Sequence, residues 1–273
     1  MSFYDHKKMV EWCPQAPGGS CERSGLCSAQ PNNRTNNYNK WVYSTEFPCH
    51  GVRQVVQVLD FIYVAINKNA SSTIQAVLKD PNLYNATDKD IIVGKTNREQ
   101  NFMRWEKLQE DPRPKYAVVR NPYSRIVSGW NGWVWSRPGG PIVDGINFHR
   151  DMQFKDFIKA LSKVDCTTVD PHIHLQYPFI VKDNGEPLCK SYIKFENLTE
   201  EWEKFCTEET DIRKYSGLTI DKLQSPGSWR CRVEPRGDLE AHMSFYDQET
   251  LEIFNEIYAK DFELLGYEML KKI

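Results

Sequence analysis

Two short apolar runs, each ended abruptly by a polar turn, constrain this chain most. Phe61-Ile62-Tyr63-Val64-Ala65-Ile66 is β-branched and aromatic and stops at Asn67-Lys68-Asn69. Tyr116-Ala117-Val118-Val119 stops at Arg120-Asn121-Pro122. Continuous apolar runs of this length fit strands buried on both faces, as in a parallel sheet. The β-branched texture begins at Val55, so one buried strand is expected to end at Ile66. A helix is expected after each run. The first spans Ser72 to Leu78 and stops near Asp80-Pro81; the second carries Pro122 in its first turn, where the missing N–H costs nothing.

Further elements follow the same alternation. Phe154 to Leu161 has the spacing of an amphipathic helix, and Tyr192-Ile193-Lys194-Phe195 reads as a third strand. Asn197-Leu198-Thr199-Glu200 has the form of a capping box opening a helix through Phe205. Leu251, Phe254, Ile257, Tyr258 and Leu265 recur at helical spacing behind Asp247, a candidate cap. Strands alternating with helices predict an α/β fold with a central, mainly parallel sheet flanked by helices.

Residues 1–50 have a different texture. Pro14, Pro17, Gly18, Gly19, Gly25, Pro31 and the Asn-rich stretch 32–39 oppose regular structure. The expected organisation is an irregular Cys/Pro/Asn-rich amino-terminal arm over 1–50 and one domain over 51–273. Of the eight cysteines, Cys13, Cys21, Cys27 and Cys49 crowd this arm, while Cys166, Cys189, Cys206 and Cys231 are scattered. No C-x-x-C pair occurs, so the spacing argues against a zinc site; disulfides in the arm are expected only in an oxidising compartment. The formal net charge is −2, which argues against nucleic acid and other long polyanions as partners. No apolar run is long enough to span a bilayer, and Met1 to Lys8 lacks the apolar stretch of a signal peptide. Four N-x-S/T sequons stand at Asn33, Asn69, Asn85 and Asn197.

The turns after the two runs carry the chemistry. Asn67-Lys68-Asn69-Ala70-Ser71-Ser72-Thr73 stands between a strand and a helix start. A helix amino terminus offers unpaired N–H groups and the positive end of a dipole to an anion. Hydroxyls at Ser71, Ser72 and Thr73 add donors, and Lys68 adds a mobile point charge. The Walker pattern is absent, because the lysine precedes the hydroxyls and no glycine is present. The plain alternative is a polar turn with a serine cap. In the second segment, Arg120 stands at a strand's carboxyl end, where ligands gather in open α/β sheets, and Ser128 follows two helical turns later. A guanidinium and a hydroxyl together grip a terminal phosphate; alone, an arginine at a strand end is ordinarily a surface ion pair.

Taken together, strand–Lys-x-x-Ser-Ser-Thr–helix and strand–Arg-Asn-Pro-x-x-Arg-x-x-x-Ser resemble the sulfotransferase superfamily that uses 3'-phosphoadenosine-5'-phosphosulfate (PAPS). The pattern is closest to the carbohydrate, Golgi-type (family 2) enzymes and their bacterial relatives. Asp170-Pro171-His172-Ile173-His174-Leu175-Gln176 resembles the family's Asp-Pro-His-Trp-x-Pro-Gln stretch, with Ile173 in place of Trp. Tyr192 to Leu198 resembles its Ile-Gly-Lys-Phe-Glu-Asn-Leu strand, and Tyr246 to Tyr267 its closing helix. In the first loop Asn67 replaces the usual Pro and Ala70 the usual Gly. The likeness runs in order over residues 58–268.

The resemblance implies a P-loop-like sulfotransferase fold, PAPS as co-substrate, 3',5'-ADP as product, and no metal. It implies that Lys68 stabilises the bridging oxygen of the leaving nucleotide. Asn69, Ala70, Ser71, Ser72 and Thr73 would join Lys68 around the 5'-phosphate, and Arg120 with Ser128 would hold the 3'-phosphate. Relatives use His or Glu as base; His172 and Glu99 are the catalytic candidates here. Trp130, Trp133 and His174 are the acceptor-binding candidates, with Trp135 nearby. The acceptor is expected to be a small molecule or carbohydrate of compact form. Lys155, Lys159 and Lys163 share a helix face and make either a solvated face or a basic groove. The expected location is cytoplasmic for a native full-length chain, or the Golgi lumen if an amino-terminal anchor was removed. Two other readings stand beside this one: a nucleotide kinase or NTPase of related fold, and a non-catalytic glycan-binding relative.

Overall fold

A computed structural model describes residues 52–58, 60–78, 102–135, 142–149, 151–167, 169–209 and 239–273. The expected amino-terminal arm lies outside the described residues. What is described forms two compact units, one from 52–119 with 179–209 and one from 120–178 with 239–273.

The first unit is built on a five-stranded sheet. Its strands are β1 (Val52–Gln57), β2 (Ile62–Val64), β3 (Phe102–Arg104), β4 (Lys115–Val119) and β7 (Ser191–Lys194), in spatial order β3-β1-β2-β4-β7. β2, β4 and β7 run parallel, whereas β1 is antiparallel to both β2 and β3. The sheet is therefore mixed: β3, β2, β4 and β7 point one way and β1 runs against them. The cause is local: the run expected as one strand from Val55 to Ile66 folds back on itself. Val58 donates its N–H to the Phe61 carbonyl (2.9 Å), and exposed Asp60 marks the turn.

Helix α1 (Ser71–Leu78) buries Ile74, Val77 and Leu78 in the core of this unit. A short α2 (Trp105–Glu110) follows β3 and buries Trp105 and Leu108. After β7, α5 (Leu198–Lys204) adds Trp202 to the core. Phe205, just beyond it, packs edge-on against Phe61 (5.6 Å) and Tyr116 (4.7 Å). The capping box expected at Asn197 does not form. Asn197 precedes α5 without a side-chain cap bond, because a 3₁₀ turn over Phe195–Asn197 leads into the helix instead.

The second unit is helical. It holds α3 (Pro122–Gly129), a π-turn over Trp130–Trp135, a hairpin of β5 (Ile142–Val143) and β6 (Ile146–Asn147), α4 (Phe154–Leu161), α6 (Leu239–Met243) and α7 (Gln248–Leu265). Pro122 stands in the first turn of α3, as its missing N–H predicts, and Asn121 Oδ1 accepts the Tyr123 N–H (3.0 Å). α4 has the bounds expected from its apolar spacing and turns Phe154, Phe157, Ile158 and Leu161 inward. Asp247 caps α7 by accepting the Thr250 N–H, and Gly266 ends it at φ 66°. That left-handed turn suits a residue without Cβ. Cys166, Cys189 and Cys206 are free thiols; the remaining cysteines lie outside the described residues.

Candidate functional site

In the first unit, the loop after β2 turns through two left-handed residues. Lys68 has φ 70° and Ala70 φ 55°, both in the left-handed region that costs an L-residue about 1–2 kcal/mol. Ala70 thus adopts a conformation that favours glycine. Between them Asn69 is fully buried, and its Nδ2 donates to the Val118 carbonyl of β4 (2.9 Å). This bond ties the loop to the carboxyl end of the neighbouring parallel strand. With its amide nitrogen enclosed and bonded, the Asn69 sequon has no room for a glycan in the folded chain. The Ala70 carbonyl accepts the Ile74 N–H (3.0 Å), so α1 starts immediately after the left-handed residue. Ser71 is buried, Thr73 half-buried and Ser72 exposed. The first turn of α1 has no acidic residue, so its dipole faces no carboxylate of its own.

In the second unit, Arg120 follows directly on β4 and is only 4% exposed. Its N–H donates to Gln176 Oε1 (3.0 Å), and its carbonyl accepts from Gln176 Nε2 (2.8 Å). Ser128 lies buried near the end of α3. The fully buried Arg125, from the same helix, donates to the carbonyls of Pro171 and His174. α3 also approaches this 170–176 stretch closely: a Cβ on Gly129 would lie 2.7 Å from the His172 carbonyl oxygen. The stretch is a turn, not a strand.

The two histidines of that turn have different surroundings. His174 is 2% exposed, and its Nδ1–H donates to the Leu175 carbonyl (2.7 Å). Its enclosure fits a structural role and not the acceptor contact expected of it. The His172 side chain is 23% exposed, with Nδ1 against Asp170 Oδ1, and its N–H donates to the same oxygen (2.8 Å). Asp170 is itself buried, and its Oδ2 has no hydrogen-bond partner. A carboxylate on Nδ1 fixes the proton there and leaves the Nε2 lone pair as the acceptor.

Trp130, the first acceptor candidate, is committed to the core. Its Nε1 donates to the Met152 carbonyl (3.1 Å), and its ring packs edge-on against Phe154 and Phe245. The Trp133 and Trp135 side chains lie outside the described residues, as does Glu99. The lysine face of α4 is largely engaged: Lys155 pairs with Asp247 (2.7 Å) and Glu249 (2.9 Å), and Lys159 with Glu249 (2.6 Å). That arrangement matches a solvated, ion-paired face better than an open basic groove.

Two further groups organise this unit. Gln176 was visible only as the end of the Asp-Pro-His stretch. Asp261, on α7, is fully buried and accepts the N–H groups of Gln176 (2.9 and 2.8 Å) and Tyr177 (2.8 Å). Burial pushes the Asp261 carboxyl up to about 6, against the lowering pull of those bonds and of Arg125. In the sequence it is one aspartate within the Tyr246–Tyr267 stretch, at a position where helical spacing faces the core.

Among the described residues, no group of three or more His, Cys, Asp or Glu is placed to hold a metal ion, and no helix is long and apolar enough to cross a membrane. A model of the sulfotransferase family matches residues 55–268. The chain belongs to that family, and its domain is that of a sulfate-transferring enzyme. Comparisons with curated proteins and with solved structures returned no match.

Proposed function

We propose that the chain transfers the sulfuryl group of PAPS to a hydroxyl or amine of a compact acceptor and releases 3',5'-ADP. The observation that carries this reading is Arg120. It stands at the carboxyl end of a parallel strand, buried, with its backbone held at both polar atoms. A buried arginine whose backbone is so fixed is suited to a terminal phosphate. In this reading Arg120 and Ser128 take the 3'-phosphate. Ser71, Ser72, Thr73 and the loop N–H groups take the 5'-phosphate.

Transfer breaks the bond from sulfur to the bridging oxygen and forms one from sulfur to the acceptor oxygen or nitrogen. Negative charge develops on the bridging oxygen, where Lys68 neutralises it. A base removes the acceptor proton. His172 is the base of this reading because Asp170 fixes its tautomer; Glu99 is the alternative, and a hundredfold loss of transfer in His172→Ala or in Glu99→Gln would decide between them. The paired state of Lys155 and Lys159 supports a compact acceptor over a long polyanion.

The nucleotide assignment is tested by calorimetry. 3',5'-ADP should bind at least about tenfold more tightly than 5'-AMP, the equivalent of one charge-assisted contact. Equal affinities would remove the roles given to Arg120 and Ser128.

A further inference from the structure

We infer that Gln176 is the positioning residue that aims Arg120 at the 3'-phosphate, an assignment that rests on the reading of Arg120 above. The β4–β7 ladder ends at the pair Val119–Lys194, so Arg120 is the first residue past the sheet. Its peptide groups need other partners, since a buried backbone N–H or carbonyl left unpaired costs about as much as a lost hydrogen bond. Gln176 supplies both. One primary amide has one acceptor and one pair of donors, and here each is turned to the same residue's backbone, at 3.0 and 2.8 Å. Holding the N–H and the carbonyl together fixes the direction of the Arg120 Cα–Cβ bond, and with it the origin of the guanidinium.

The clamp is itself anchored. The Gln176 N–H donates to both oxygens of Asp261, and the next N–H, of Tyr177, donates to the same carboxylate. Upstream, Arg125 grips the Pro171 and His174 carbonyls, and the Tyr258 hydroxyl donates to the Ile173 carbonyl. The turn is thereby fastened to α3 and α7, and the clamp cannot drift without breaking several bonds. Gln176 is fully buried, so it acts on the nucleotide through Arg120 and not by contact. This gives the Asp170–Gln176 stretch a function: it is the brace of the 3'-phosphate ligand. Preorganisation of this kind is what gives a binding group its geometric selectivity.

The test compares 3',5'-ADP with 5'-AMP by calorimetry in wild type, Arg120→Ala and Gln176→Met, the last keeping volume while removing both polar atoms. Gln176→Met should lose about tenfold in 3',5'-ADP affinity while 5'-AMP stays within about twofold of wild type. Unchanged 3',5'-ADP affinity, or an equal loss for both nucleotides, would overturn the proposal. If Arg120→Ala keeps the wild-type preference, the Arg120 reading falls and the proposal falls with it. If Arg120→Ala abolishes the preference and Gln176→Met does not, the Gln176 proposal alone falls. Should Gln176→Met fail to fold, Asp261→Asn, which loosens Gln176 from behind, is read the same way, with a smaller but still 3',5'-ADP-selective loss expected.

Discussion

The loop after β2 and the segment after β4 present the same kind of group, a cation at the end of a parallel strand, by opposite means. Asn67–Thr73 is tied to β4 by Asn69 through the Val118 carbonyl and turns through two left-handed residues. Arg120–Ser128 carries no such backbone outlier; Gln176, itself held by Asp261, braces it from outside, and its own Arg125 ties it to the Pro171 and His174 carbonyls. A short strained loop brings its own N–H groups up to an anion. A braced arginine fixes one charge at one place. The difference matches the two tasks proposed: the first must follow charge that moves during the reaction, and the second must grip a phosphate that does not react.

The largest expected effect separates those tasks. Lys68→Ala should lower turnover by about a hundred- to a thousandfold with little change in nucleotide affinity, because its contact strengthens only as charge develops. Arg120→Ala should do the reverse, weakening 3',5'-ADP binding first. Steady-state rates set beside calorimetry check both. Equal effects of the two substitutions on both quantities would erase the contrast.

Next in size is the brace. The folded-state pKa of Asp261 is raised to about 6 by burial, so this group favours folding most below its unfolded value near 4. That contribution is lost as pH rises through 6. Wild type should therefore lose about 2 kcal/mol relative to Asp261→Asn between pH 4 and pH 7. Denaturant unfolding of both proteins at each pH measures it, and a pH-independent difference would show that the carboxyl is not held as described. The smallest effect belongs to the strained loop. Ala70→Gly relieves the left-handed strain at φ 55° and should raise stability by up to about 1 kcal/mol, less the entropy of the freer chain. A fall in the denaturation midpoint would mean that the loop does not hold that conformation.

These two regions also differ in how far the sequence revealed them. The strained loop was legible because its information is local: an apolar run, a lysine, three hydroxyls and a helix start are contiguous. Pro122, the α4 spacing and the Asp247 cap were legible for the same reason. The brace was not, because Arg120 and Gln176 are 56 residues apart and Gln176 and Asp261 another 85. No periodicity links a glutamine to the backbone it will clamp. The mixed sheet was missed where Asp60 turns the chain inside an otherwise apolar run, and the capping-box pattern at Asn197 gave way to a 3₁₀ turn. Aromatic residues serve both stacking and packing, so the sequence leaves Trp130 open between acceptor contact and core; it packs in the core.

The central claim is that the two regions serve one reaction, sulfuryl transfer from PAPS, and a transfer assay tests it most directly. Wild-type protein is incubated with PAPS carrying labelled sulfate and a panel of neutral sugars, small alcohols and small amines, with ATP in place of PAPS as the contrasting donor. Label should pass to at least one compact acceptor, with 3',5'-ADP formed in equal amount, no transfer from ATP, and slower sulfation of heparan or chondroitin chains. Phosphoryl transfer from ATP, or no transfer of label to any acceptor by protein that binds 3',5'-ADP, would contradict it.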